Sequence, residues 1–168
     1  MASAGAAPAG GGELGAMKVP RRLRQDLTEE NLDAIAAAVD AVESHTSGEV
    51  MVHIVHNLLP MEKPRPRALR AFFDLGLNRT RDRNGVLLFV AMKKRLFEIV
   101  ADEAIHAKVG ETVWEEISKT ISEAIDQDGF EKGICRGVRL IGEVLSQHFP
   151  RTDEDVNELP DRPIVESD

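Results

Sequence analysis

A chain of 168 residues with 42% hydrophobic and 30% charged residues has the length and composition of one globular domain with a proper core. The net charge of −8, the absence of Tyr and the lack of a basic stripe interleaved with aromatics argue against nucleic acid as a partner. The single cysteine, Cys135, excludes an internal disulfide. The longest apolar run, Val86 to Met92, falls far short of the roughly 20 residues that span a membrane.

Taken in order, the chain divides into an N-terminal arm over 1–24, an α/β domain over 25–150 and an acidic tail over 151–168. The arm is Ala/Gly/Pro-rich and is read as disordered. It lacks a basic n-region and a Leu-rich h-region, so no signal peptide is read, and cytoplasmic residence is the default expectation. Thr28 is placed to cap a helix with Glu29 and Glu30 in its first turn and Leu32, Ile35, Val39 and Val42 at core spacing. Thr46-Ser47-Gly48 stops it, and Glu49 to His56 alternates as a strand. Leu69, Phe72, Phe73 and Leu77 predict a crossover helix over 67–77, so this strand and the next are expected to run parallel.

Val86 to Ala91 is an unbroken apolar run that suits a strand buried on both faces. Met92 to Arg95 supplies a turn and Leu96 to Ala101 an antiparallel return. Two amphipathic helices follow, one carrying Val109, Trp114, Ile117, Ile121 and Ile125, the other Phe130 to Phe149. Gly133 and Gly137 allow close approach between them, and Cys135 is a core thiol. In the tail, seven acidic residues face two basic ones, and it is expected to pack loosely or remain disordered. The sum is an α/β chain built around a small mixed sheet.

This topology brings the starts of two strands and the end of a third to one edge. Ser47-Gly48-Glu49, Asp82-Arg83-Asn84-Gly85 and Asp102-Glu103 converge there, an oxygen-only donor set of the kind that suits Ca²⁺ or Mg²⁺ rather than zinc. A purely structural reading stands beside it: Asp102 caps a short helical turn at 103–107, Asn84 supports a turn and Glu49 is solvated. Spacing alone favours the structural reading. At the opposite edge His56, Asn57, Lys93, Lys94 and Arg95 could attract an anion, although they form the pattern of an ordinary polar rim.

The segments TSGEVMVHIV (46–55), RNGVLLFVA (83–91), IVADEAIHAKVGETVWEEI (99–117) and NELPD (157–161) together resemble the TPM domain of thylakoid-lumen and bacterial-membrane proteins, in its short soluble bacterial form. The resemblance spans roughly residues 25 to 161. It implies a three-layer α/β/α sandwich with a small mixed central sheet flanked by helix pairs. It also implies divalent-cation binding, notably of calcium, and a weak acid phosphatase activity attributed to a plant branch. Glu49, Asn84 and Asp102 match family positions, with Glu103 beside the last, so the expected metal ligands are Glu49, Asn84, Asp102 and Glu103. This chain departs from the family in having Ala101-Asp102-Glu103-Ala104-Ile105 where many relatives carry two glycines around the Asp.

A phosphatase needs a nucleophile or a metal-activated water. Cys135 lacks the Arg that a Cys-x5-Arg nucleophile requires, and no Asp-x-Asp pair, P-loop or Gly-x-Ser-x-Gly is present. Metal-assisted hydrolysis is what remains, with Asp102 and Glu103 on the ion and Arg83 on a phosphate, although Arg83 beside acids reads first as a paired surface residue. His53 reads as a hydrogen-bonded interior histidine and His106 as the better candidate for a functional imidazole. The leading expectation is a non-enzymatic binding or stress-related accessory module that takes a divalent cation, with a weak phosphomonoesterase as the alternative.

Overall fold

The computed structural model describes residues 17–18, 27–94 and 96–166. Apart from 17–18, the N-terminal arm expected over 1–24 lies outside the described residues. Eleven short or long elements follow. They are β1 (Met17–Lys18), α1 (Glu29–Glu43), β2 (Glu49–Val55), α2 (Pro64–Asp74), a 3-10 turn (Leu77–Arg79), β3 (Gly85–Ala91), β4 (Leu96–Ala101), α3 (Glu103–Val109), α4 (Glu111–Asp128), α5 (Phe130–His148) and β5 (Ile164–Glu166).

The sheet is mixed, in the order β1-β4-β3-β2-β5. β2 runs parallel to β3 in register from Glu49 opposite Gly85 to Val55 opposite Ala91, while β4 returns antiparallel beside β3. Alternation sends Val50, Val52, Ile54, Val86, Leu88, Val90, Phe97 and Ile99 into one core with α1, α4 and α5. Met51, Val55, Leu87, Phe89 and Val100 meet Ala68, Ala71 and Phe72 of α2 on the other face. The architecture is the expected α/β/α sandwich with unequal layers. Among the described residues a single helix and the 3-10 turn cover the second face.

Local chemistry explains the helix ends. Thr28 caps α1 through the Asn31 N–H, and the Asn31 side chain bonds back to the Thr28 N–H. α2 begins at Pro64, earlier than the apolar spacing predicts, because a first-turn proline has no N–H to leave unsatisfied. It ends ahead of Gly76, whose φ of 81° only glycine adopts readily. Gly110 at φ 78° divides what reads as one amphipathic helix into α3 and α4. α4 and α5 touch through glycine: a Cβ on Gly133 would stand 2.1 Å from Ile125 Cγ1. No described helix is long and apolar enough to cross a membrane.

The C-terminal segment over 151–166 is ordered. It crosses the end of the sheet where β2 and β3 start, then adds β5 parallel to the outer side of β2. The loose packing expected of the tail overlooked this strap, whose polar side chains bond across the sheet edge rather than to water alone.

Candidate functional site

The convergence expected from topology is present at the backbone. Glu49 starts β2 opposite Gly85, and the Asp102 N–H donates to the Gly85 carbonyl at 2.9 Å. Glu49 and Asp102 therefore occupy one row on the α2-facing side, two strand spacings or roughly 10 Å apart, with Gly85 between them. Leu77 fills the space above that glycine, since a Cβ there would lie 2.9 Å from the Leu77 carbonyl oxygen. The two carboxylates are neighbours in the row, each with its own surroundings.

Asp102 is fully buried. It caps α3 by accepting from the Glu103 N–H at 2.7 Å, and its two oxygens accept from Arg83 Nε at 2.8 Å and Nη2 at 2.9 Å. Arg83 reaches it from a left-handed turn, φ 52°. Hydrogen bonding to Asp102 holds the guanidinium above its ordinary pKa. This fork-on-fork pair neutralises the carboxylate and fixes the start of α3. Glu103, in the first turn of α3, has an exposed side chain.

Among the described residues, no cationic side chain pairs with Glu43 or Glu49 in the other half of the rim. Glu49 is buried and, among the described residues, accepts from backbone alone, the Glu158 N–H at 2.9 Å and the Leu159 N–H at 3.3 Å of the strap. Burial pushes its pKa up, and the Glu158 and Asp161 carboxylates add to the rise. Asn84 is buried as well. Its Nδ2 donates to Ser47 Oγ at a long 3.4 Å, while its Oδ1 has no partner.

Sequence reasoning missed Glu43, which closes α1 beneath the strap. Its Oε1 accepts from the Val50 N–H at 2.8 Å, and its Oε2 is buried without a partner. Burial first, and then the charges of Glu49 and Asp161, push its carboxyl up to about 9. Arg151 donates to the Glu43 backbone carbonyl at 2.7 Å. The signal was available, because Glu43 stands four residues after Val39 and eight after Ile35 on the core stripe. A cavity of about 10 Å³, room for one water-sized particle, lies among Glu43, Ser47, Glu49 and Arg151.

No group of three or more His, Cys, Asp or Glu side chains placed to hold a metal ion occurs among the described residues. The oxygen groups at the cavity are the Glu43 and Glu49 carboxylates and the Ser47 hydroxyl, with the Asn84 amide reaching Ser47 from outside its lining. Of the other candidates, His53 is buried as expected, with Nε2 3.1 Å from Glu166 Oε1, but neither ring nitrogen makes a well-formed hydrogen bond. Burial lowers its pKa. His106 lies in α3, part-buried, with Nδ1 unpartnered. Cys135 is buried.

Residues 24–144 match the family model of the TPM domain. This chain belongs to the TPM-domain family. The BA42 protein from the psychrophilic bacterium Bizionia argentinensis, solved by NMR, is 30% identical; the alignment covers 85% of this chain and 97% of that one with a TM-score of 0.77. The N-terminal domain of a P. gingivalis protein, 16% identical, aligns over 73% of this chain and 78% of its own with a TM-score of 0.57, a likeness of fold alone. No curated protein matches the chain. Within the TPM domain the described rim thus has two halves, an Asp102–Arg83 half that is internally neutralised and a Glu43–Glu49–Asn84 half that is not.

Proposed function

We propose that this TPM-domain protein is a non-enzymatic binding module whose occupant is a divalent cation, calcium or magnesium, held by Glu49, Asn84 and Glu43 beneath the C-terminal strap. The supporting observation is a pair of buried acceptor oxygens without donors, Asn84 Oδ1 and Glu43 Oε2, beside the Asp161 carboxylate at a rim where burial pushes the Glu43 and Glu49 carboxyls upward in pKa. A buried acceptor left unpaired costs about 1–3 kcal/mol, and a cation supplies what both lack. Calcium takes carboxylate and amide oxygens together, and magnesium is held by one or two carboxylates with water completing the shell. Asp102 joins such a set only when Arg83 releases it, and the exposed Glu103 can serve as an outer carboxylate beside it. The hydrolytic alternative gains no support from Arg83, whose Nε and Nη2 are committed to Asp102 rather than free to hold a phosphate.

Titrating CaCl₂ or MgCl₂ into chelator-treated protein while following the melting temperature tests the reading. A ligand bound only by the folded chain stabilises it by about 2.7 kcal/mol at one hundred times its Kd. The expected result is a saturable rise that Asn84→Ala and Glu49→Gln both reduce. A flat response through millimolar metal overturns it.

A further inference from the structure

The opposite end of the sheet carries a feature that cation binding does not use. β2 leaves the sheet into a loop whose Leu58 is buried, while Leu59 is 71% and Met61 98% exposed. The tip is held in place. The Glu62 N–H donates to the Leu59 carbonyl at 3.0 Å, and the Leu59 N–H donates to Glu62 Oε2 at 3.0 Å. Met61 keeps a left-handed φ of 68°, a conformation that costs a non-glycine residue and that the surrounding bonds impose. Two apolar side chains are thereby presented to solvent by a braced turn.

Among the described residues, the exposed charged side chains flanking the tip that make no ion pair are cationic. The β3–β4 turn is bonded to the same edge through Met92 N–H to the Val55 carbonyl at 3.0 Å and Lys93 N–H to the His56 carbonyl at 2.8 Å. Lys63, Lys93 and Lys94 are exposed, and no ion pair holds any of them among the described residues. Of the acids on the α2 side, Glu62 is engaged by Arg67 and Arg70, Glu98 by Arg65, and Glu166 by Arg67 and His53; Asp74, at the end of α2 away from the tip, is exposed and in no ion pair among the described residues. On the far layer, Glu29 and Asp33 of α1 are paired with Arg162. The acidic strap, with Asp153, Glu154, Asp155 and Glu158, crosses the other end of the sheet.

We propose that the Leu59–Met61 tip, flanked by Lys63, Lys93 and Lys94, docks this protein on an anionic lipid surface. The tip carries two apolar residues that stand out into solvent. A specific protein partner needs on the order of 1,000 Å² of complementary surface, whereas a lipid interface accepts an exposed apolar tip without matching its shape. Anionic headgroups attract the lysines and repel the strap at the far end, so the charge distribution orients the molecule tip-down.

Cosedimentation of the full chain with vesicles tests the proposal, comparing phosphatidylcholine alone with phosphatidylcholine mixed with phosphatidylglycerol. Binding is expected on the mixed vesicles only and is weakened by salt. Leu59→Ser with Met61→Ser abolishes it, each of Lys93→Gln and Lys94→Gln weakens it about fivefold, and Val156→Ser, an exposed apolar residue on the strap, leaves it unchanged. The substitutions are all on exposed side chains, and an unchanged melting temperature checks that each variant is folded. Absence of binding by the wild type overturns the proposal. So does binding that survives the double tip substitution, which is charge adsorption without insertion. A tip that binds a purified protein and no vesicle overturns it in favour of a protein partner.

Discussion

Asp102 and Glu43 are carboxylates buried at the same sheet edge, and they meet opposite fates. Arg83 closes on Asp102 through two hydrogen bonds, so the charge leaves water with a partner already in place. Glu43 has a backbone N–H on one oxygen, no donor on the other, and the Glu49 and Asp161 carboxylates as neighbours, the latter within reach of a hydrogen bond from a protonated Glu43, and its carboxyl is pushed up to about 9. The difference teaches that an acidic cluster read from a sequence is not one object. One half of this rim supplies its own cation from the chain, and among the described residues the other has none, so burial raises the Glu43 carboxyl instead.

Breaking the compensated half should have the largest effect. Arg83→Met leaves Asp102 buried without its partner, and removing one member of a buried pair costs about 3–5 kcal/mol. Arg83 is partly exposed, so water repays some of this and the lower end of the range is expected, read as a reduced urea midpoint. A loss below about 1 kcal/mol contradicts the claim that Arg83 is the cation of that half.

The uncompensated half should respond in the opposite sense. Glu43 is raised from 4.5 to about 9 in the folded chain. The folded state therefore keeps a proton that the unfolded state releases. The stability this carboxyl contributes is fully present below pH 4.5 and is lost as pH rises toward 9. Glu43→Gln mimics the protonated form, so it should stabilise the metal-free protein at pH 8 by about 1–3 kcal/mol and flatten the stability profile between pH 5 and 9. Destabilisation at pH 8 to the same extent as at pH 5 contradicts the assignment.

Much of the fold was legible because it rests on periodicity. The alternating β2, the apolar β3, the Thr28 cap and the glycine-lined contact of α4 with α5 are all local signals that tertiary structure reinforces. The break at Gly110 was hidden because apolar residues continue in phase on both sides of it. The strap was hidden for another reason: the bonds from the Glu158 and Leu159 N–H groups to Glu49 join residues more than a hundred positions apart, and an acidic, Pro-bearing stretch gives no sign of them. At the site, the backbone meeting of Glu49, Asn84 and Asp102 followed from strand directions alone. That Arg83 would claim Asp102 depends on a left-handed turn at an ordinary residue, which spacing does not encode. Arg83 was nonetheless readable as paired, and Glu43 could have been found from its place on the core stripe of α1.

The central claim is that a divalent cation takes the place of the proton on Glu43 beneath the strap. Calorimetric titration of CaCl₂ into chelator-treated protein at pH 7, repeated in buffers of different ionisation enthalpy, counts the protons that binding releases. About one proton per bound calcium from the wild type, and none from Glu43→Gln, is the predicted result. Absence of binding heat, or a proton count unchanged in Glu43→Gln, would contradict it.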